Sequence, residues 1–276
     1  MKHNIKFTVI IPYFNSADTI IRLLESIPER DDIEVILVND NCSTFDGIQF
    51  KLGNRVQCYT NNSDNRGAGA CRNIGIRQAK GDYLIFADSD DFFTKDAFSH
   101  FFECCEDSPD IVYFSPISIF KDGNVGSQRH SPYKLLVQNY ISYGDQSIRY
   151  KFYVPWSKMI KKDFVETNEI LFDEVVASND INFSLKVGYF ASSIKVSKEH
   201  VYCVVESNNS LTKTYTKEVV ISRFNAICEY NDFVNKYDVP VEKIRMIYFL
   251  KLIAKVDLFT LVKSFIFVLK NRYPII

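Results

Sequence analysis

The feature that most constrains this chain is an alternation in its first 115 residues. Short runs rich in β-branched and aromatic residues at Phe7–Pro12, Glu34–Val38, Arg55–Tyr59, Tyr83–Ala87 and Asp110–Phe114, most of them nearly unbroken by polar residues, are separated by stretches of helical character. Runs without polar alternation are buried on both faces, as parallel strands joined by helical crossovers are. Ser16 or Asp18 is placed to cap a helix with Ile20, Leu23, Leu24 and Ile27 on one stripe. Gly69–Ala79 reads as a helix stopped by Lys80-Gly81, and Lys95–Cys105 as another. The expectation is an α/β fold, an open and mostly parallel sheet with helices on both faces. Such sheets bind ligands beyond the carboxyl ends of their strands. Asn15, Asp40 and the run Asp88 to Asp91 all fall at such ends.

The second half is less regular. Residues 121–150 are rich in Gly, Ser, Gln and Tyr and are predicted as a loop. Pro155–Ile160 is strand-like, Ser178 is placed to cap a helix reaching about Val187, and 217–236 and 241–271 look helical. A net charge of −1 argues against a protein held to nucleic acid by a general phosphate field. That charge is uneven. Residues 241–276 carry seven Lys or Arg against Glu242 and Asp257, a net of +5 that leaves −6 on the rest. The seven cysteines are odd in number and form no CxxC pair. With no secretory leader in the first 15 residues, reduced thiols in a cytoplasmic protein are expected. Four scattered histidines and no HExxH make a zinc site unexpected.

Two stretches carry chemistry. Asp88-Ser89-Asp90-Asp91 crowds three carboxylates at a strand end, a costly arrangement without a positive partner. Strand residues two apart are roughly 6.5 Å apart. Two oxygens on one Mg²⁺ or Mn²⁺ lie no more than about 4.2 Å apart. One aspartate is therefore expected on a metal and the other elsewhere, with Asp91 capping the next helix. The stretch "NRGAGACRNIG" has glycines at 67, 69 and 75, which is not the GxGxxG spacing of a dinucleotide fold. Its Arg66 and Arg72 are suited to phosphate or to the aspartates.

"FTVIIPYFNSADTIIRLLESI", "VILVND", "NRGAGACRNIGIRQAKGDYLIFADSDD" and "PWSKMI…ILFDEVVASNDINFSLKVG" stand in order. Together they resemble a family 2 glycosyltransferase of the GT-A fold, over roughly residues 6–212. The resemblance implies a catalytic domain over 1–212, with a nucleotide-binding half (1–115) and a donor-sugar and acceptor half (116–212), followed by a helical extension at 213–276. It also assigns roles. Pro12 and Tyr13 line the uracil pocket, Asp40 hydrogen-bonds uracil and Arg72 lies beside the nucleotide. Asp90 is a ligand of Mn²⁺ or Mg²⁺, with Asp88 near the ribose or the metal. Asp180 is the general base, with Asp173 and Glu174 as rivals. Just inside a helix start, Asp180 is expected to be kept ionised by the helix dipole. Asn179 stands where the family often has Glu, and Asn41-Cys42-Ser43 where Gly-Ser is common. Trp156, the single tryptophan, suits a core anchor better than a sugar platform.

The activity implied is inverting transfer of one sugar from a UDP-sugar to a hydroxyl of a glycan, on a lipid-linked oligosaccharide of a bacterial surface polysaccharide. A non-catalytic nucleotide-sugar-binding protein and a nucleotidyltransferase are the alternatives. No run approaches the ~20 apolar residues of a bilayer span. Treated as one helix, 241–271 sets Arg245, Lys251, Lys255, Lys263 and Lys270 within a face of roughly 120°. Two readings of it stand open: a terminal helix packed on the core, or a peripheral contact with the anionic inner face of the cell membrane.

Overall fold

The computed structural model describes residues 5–45, 56–206 and 214–275. Among these residues eight strands form one sheet in the order β3-β2-β1-β4-β7-β6-β8-β5. They are β1 (Phe7–Tyr13), β2 (Ile33–Asn39), β3 (Val56–Thr60), β4 (Tyr83–Phe86), β5 (Phe92–Phe93), β6 (Ile111–Phe120), β7 (Lys158–Lys161) and β8 (Ile194–Glu206). β1, β2, β3 and β4 pair in parallel, as do β6 and β8, while β7 runs antiparallel to both β4 and β6 and β5 antiparallel to β8. The sheet is thus mostly parallel, as the unbroken apolar runs predict. Phe7, Val9, Ile10, Ile11 and Tyr13 of β1 are all completely buried, because apolar layers cover both faces.

Ten helices surround it among the described residues. Three lie in the first half: α1 (Ile20–Glu25), α2 (Ala68–Gln78) and α3 (Ala97–Cys104). Next come α4 (Ser131–Tyr143), α5 (Ile148–Lys151), α6 (Lys162–Thr167) and α7 (Ile181–Phe190). The last three are α8 (Lys217–Lys236), α9 (Ile247–Val256) and α10 (Leu258–Lys270). Leu185 and Ile181 of α7 share a third apolar cluster with α8, α9 and Val268 of α10.

Three predicted elements are corrected. Residues 121–150 are not a loop throughout: α4 and α5 occupy 131–143 and 148–151. Pro132 starts α4, left-handed Gly144 (φ 70°) stops it, and Tyr133, Leu136, Val137 and Tyr140 pack one stripe on the sheet. The polar composition of 121–130 and 144–147 hides that stripe. The helix expected after Ser178 begins later. Ser178 is itself left-handed (φ 60°), and Asp180 is the residue that precedes the first turn. The stretch 241–271 is not one helix. It opens at 247 and breaks at Asp257, which is extended and uses its carboxylate to accept the Phe259 N–H (3.0 Å) and the Thr260 hydroxyl (2.7 Å). An aspartate that caps a new helix ends the old one.

Candidate active site

The site forms along the carboxyl ends of β1, β2 and β4, where α2 and the 172–182 segment meet them. The Asp40 carboxylate, just after β2, accepts from Asn61 Nδ2 and from the Gly67 backbone N–H, both at 2.8 Å. Gly67 (φ 110°) presents that N–H from a conformation closed to other side chains. Gly69, two residues on, permits contact with the 173–179 strap: a Cβ there would lie 2.1 Å from the Asp173 carbonyl oxygen. The glycines of "RGAG" thus serve a turn and a close helix approach. Pro12 pairs with Val38 and Tyr13 with Asn39 across β1 and β2. The buried Tyr13 hydroxyl lies 3.2 Å from Thr44 Oγ1. Beyond β2 and β3 a cavity of about 370 Å³ is lined by Asn39, Asn41, Cys42, Ser43, Phe45, Cys58 and Thr60.

Arg72 of α2 ties the two halves together. Its Nη2 donates to Asp88 Oδ1 at 2.6 Å and its Nη1 to Asn179 Oδ1 at 2.9 Å, with the guanidinium over the Phe172 ring. Asn179 is therefore an acceptor for Arg72. The Asp88 backbone N–H donates to the buried hydroxyl of Tyr202 at 2.8 Å.

The three aspartates have three different surroundings. Asp88 is held by Arg72. Asp91 is buried and accepts the Val205 N–H at 2.7 Å, so it fastens β8 and does not cap α3, which is preceded by Asp96. Burial and the neighbouring Asp90 and Asp88 push its carboxyl well above the usual range. Asp90 keeps an exposed side chain, while its carbonyl accepts from Arg22 of α1. The protein around it, and then the charge of Asp88, push its carboxyl up. No group of three or more His, Cys, Asp or Glu among the described residues encloses a metal. An exposed carboxylate beside a second one fits a Mg²⁺ or Mn²⁺ that draws its other ligands from phosphate and water.

Asp180 lies at the start of α7. Burial pushes its carboxyl above the usual range and Asp88 adds to this, while Arg72 and Lys158 oppose it. Desolvation thus raises a carboxyl that the helix start by itself would be expected to lower. The rival carboxylates are engaged elsewhere. Glu174 accepts from Asn65 and Asn73, which hold it below the usual range. Asp173 accepts from Asn182 at 2.7 Å.

Several site residues carry no motif of their own. Lys158 is buried, donates to the Phe152 carbonyl (2.6 Å) and to Ser184 Oγ (3.1 Å), and is pushed down to about 7 by burial, against the pull of Asp180. Asn61 is fully buried against Asp40. Tyr202 stacks on Trp156 at 5.6 Å, and the tryptophan, 3% exposed, is a core anchor. The signal for Lys158 was a lysine among buried residues of a predicted strand.

Carboxylates at strand ends beside a glycine-rich helix start in a mostly parallel sheet define an α/β protein that binds its ligand beyond the carboxyl ends of its strands. The family model for glycosyl transferase family 2 matches residues 8–168. The chain belongs to that family, with the GT-A fold. It is 28% identical over 210 residues to the poly(ribitol-phosphate) beta-N-acetylglucosaminyltransferase TarS of Staphylococcus aureus, covering 71% of this chain and 35% of the relative. The chain thus spans about a third of that relative's length. The solved structure of S. aureus TarS 1-349 in complex with UDP-GlcNAc aligns with a TM-score of 0.68 at 21% identity, over 91% of this chain and 71% of that one. The mannosyltransferase PcManGT of Pyrobaculum calidifontis, in complex with GDP-Man and Mn²⁺, aligns at 0.57 with 16% identity, over 84% and 64%. The matched family stretch ends before Asp180.

Proposed function

We propose that this chain transfers one sugar, a hexose or N-acetylhexosamine, from a UDP-sugar to a hydroxyl of a glycan acceptor, with inversion. The acceptor is a lipid-linked oligosaccharide of a bacterial surface polysaccharide, met by a cytoplasmic enzyme at the inner face of the membrane through 241–271. The catalytic unit is 1–212 and the helical extension 213–276. The observation that carries the reading is the Arg72 fork, which joins Asp88 of the nucleotide side to Asn179, the neighbour of Asp180.

The chain's own groups divide the work. Asp40, held by Asn61 and Gly67, keeps a free lone pair for a uracil N–H, beside Pro12 and Tyr13. Arg72 sets Asp88 toward the donor. Asp90, with Asp88, would hold Mn²⁺ or Mg²⁺, which when bound stabilises charge on the departing diphosphate. Asp180 takes the proton of the acceptor hydroxyl, whose oxygen attacks the anomeric carbon from the face opposite UDP. A carboxyl raised by burial is a stronger base, suited to that transfer. Both rival carboxylates are occupied by asparagines, which supports Asp180 in the role.

The test is UDP release with an acceptor, with and without Mn²⁺, from the parent, Asp90→Ala and Asp180→Asn. Loss of a general base lowers turnover by about 10²–10⁴-fold. Asp90→Ala should lose the response to Mn²⁺. Parent-like turnover by both variants refutes the mechanism.

A further inference from the structure

The helix α10 is inside out. Its buried residues are Ser264 and Val268, whereas Leu258 (70% exposed), Phe259 (69%), Val262, Ile266 (60%) and Leu269 face outward. At about 100° per residue, these five fall within an arc of roughly 100° that faces away from Ser264 and Val268. Lys263 and Lys270 border that arc on one side, at about 120–140° from Leu258. The preceding α9 is ordinary: Leu250, Leu252 and Ile253 are buried, and Lys251 and Lys255 are exposed. The break at Asp257 is what lets the two helices present opposite characters.

Single exposed apolar side chains need no explanation, but a contiguous row of them marks a surface that meets something. We infer that the outer face of α10 inserts into an anionic lipid bilayer, with Lys263 and Lys270 at the headgroups and Lys251 and Lys255 of α9 adding to the attraction. This sharpens the membrane contact of the proposed function from 241–271 to one face of 258–270.

Charge selects the lipid as occupant. Between residues 243 and 276 the sole acidic residue is Asp257, and it is engaged by Lys217 and the start of α10. Two copies pairing this face by a two-fold axis would bring net +5 segments together. An apolar helix face with a basic border complements an anionic lipid surface.

Flotation of the full chain with phosphatidylcholine vesicles, and with vesicles one-third phosphatidylglycerol, tests this. Binding should favour the anionic vesicles and weaken in high salt. Phe259→Glu and, separately, Ile266→Glu should each abolish flotation while leaving the circular dichroism spectrum and melting point unchanged. Both side chains are exposed, so neither change disturbs the fold. Lys263→Gln with Lys270→Gln should weaken anionic binding by roughly fivefold for each lysine. Parent protein that floats with neither vesicle overturns the inference. So does flotation that survives Ile266→Glu, and so does a dimer in light scattering that Ile266→Glu dissociates without any vesicle binding. These vesicles hold no acceptor. UDP release to a water-soluble acceptor, measured on the same preparations, therefore reports separately on the transferase reading.

Discussion

Arg72→Met tests whether the two halves of the site are held by one side chain. Arg72 is 4% exposed and donates to both Asp88 and Asn179. Methionine matches its apolar stem but supplies no donor. Asn179, itself buried, would keep an unpaired Oδ1 at a cost of about 1–3 kcal/mol. Asp88 has a side chain 31% exposed, so water would replace part of its lost partner and the loss there is about 1–2 kcal/mol. The cation–π contact with Phe172 adds about 1 kcal/mol. Against this, Arg72 Nε is buried without a partner, and its removal returns about 1 kcal/mol. The net is about 2–5 kcal/mol, or a fall in Tm of roughly 4–20 °C for a chain of this size. Differential scanning fluorimetry measures it, with UDP titration by calorimetry alongside. Arg72→Lys, which keeps the charge but reaches one partner, should fall between. An Arg72→Met protein melting within about 1 °C of the parent, with unchanged UDP affinity, would refute the bridging role.

Two further predictions concern the site's support. Lys158 in the folded chain sits near 7, far below its unfolded value, so stability should fall as pH drops from about 10 towards 7 and level off below. Lys158→Met should flatten that slope in urea midpoints measured across the range, and an identical slope would remove Lys158 as its source. Gly69→Ala places a Cβ against the Asp173 carbonyl and should cost about 1–3 kcal/mol and weaken UDP binding, read from thermal melts and calorimetry. A fully parent-like variant would show that this contact does not position the 173–179 strap.

Local patterns carried far in this chain. The strands of the first half, the α2 start at the glycines and the strand-end aspartates follow from periodicity and turn chemistry, which act over a few residues. The stripe of α4 was present in the sequence but obscured by its polar flanks. The split at Asp257 was equally local, yet the uninterrupted apolar content on both sides concealed it. What no local pattern carries is which groups meet. Asn179 lies 107 residues from Arg72, and Val205 lies 114 from Asp91. Burial of Asp180 was likewise invisible, because desolvation depends on what packs around a group and not on its neighbours in the chain. The sequence alone determined the parallel strands β1 to β4, the family resemblance and the acidic strand end. Tertiary packing decided that Asp91 holds a strand, that Asn179 serves Arg72 and that burial raises the carboxyl of Asp180. It also decided that α10 faces outward, since exposure is a property of the whole fold.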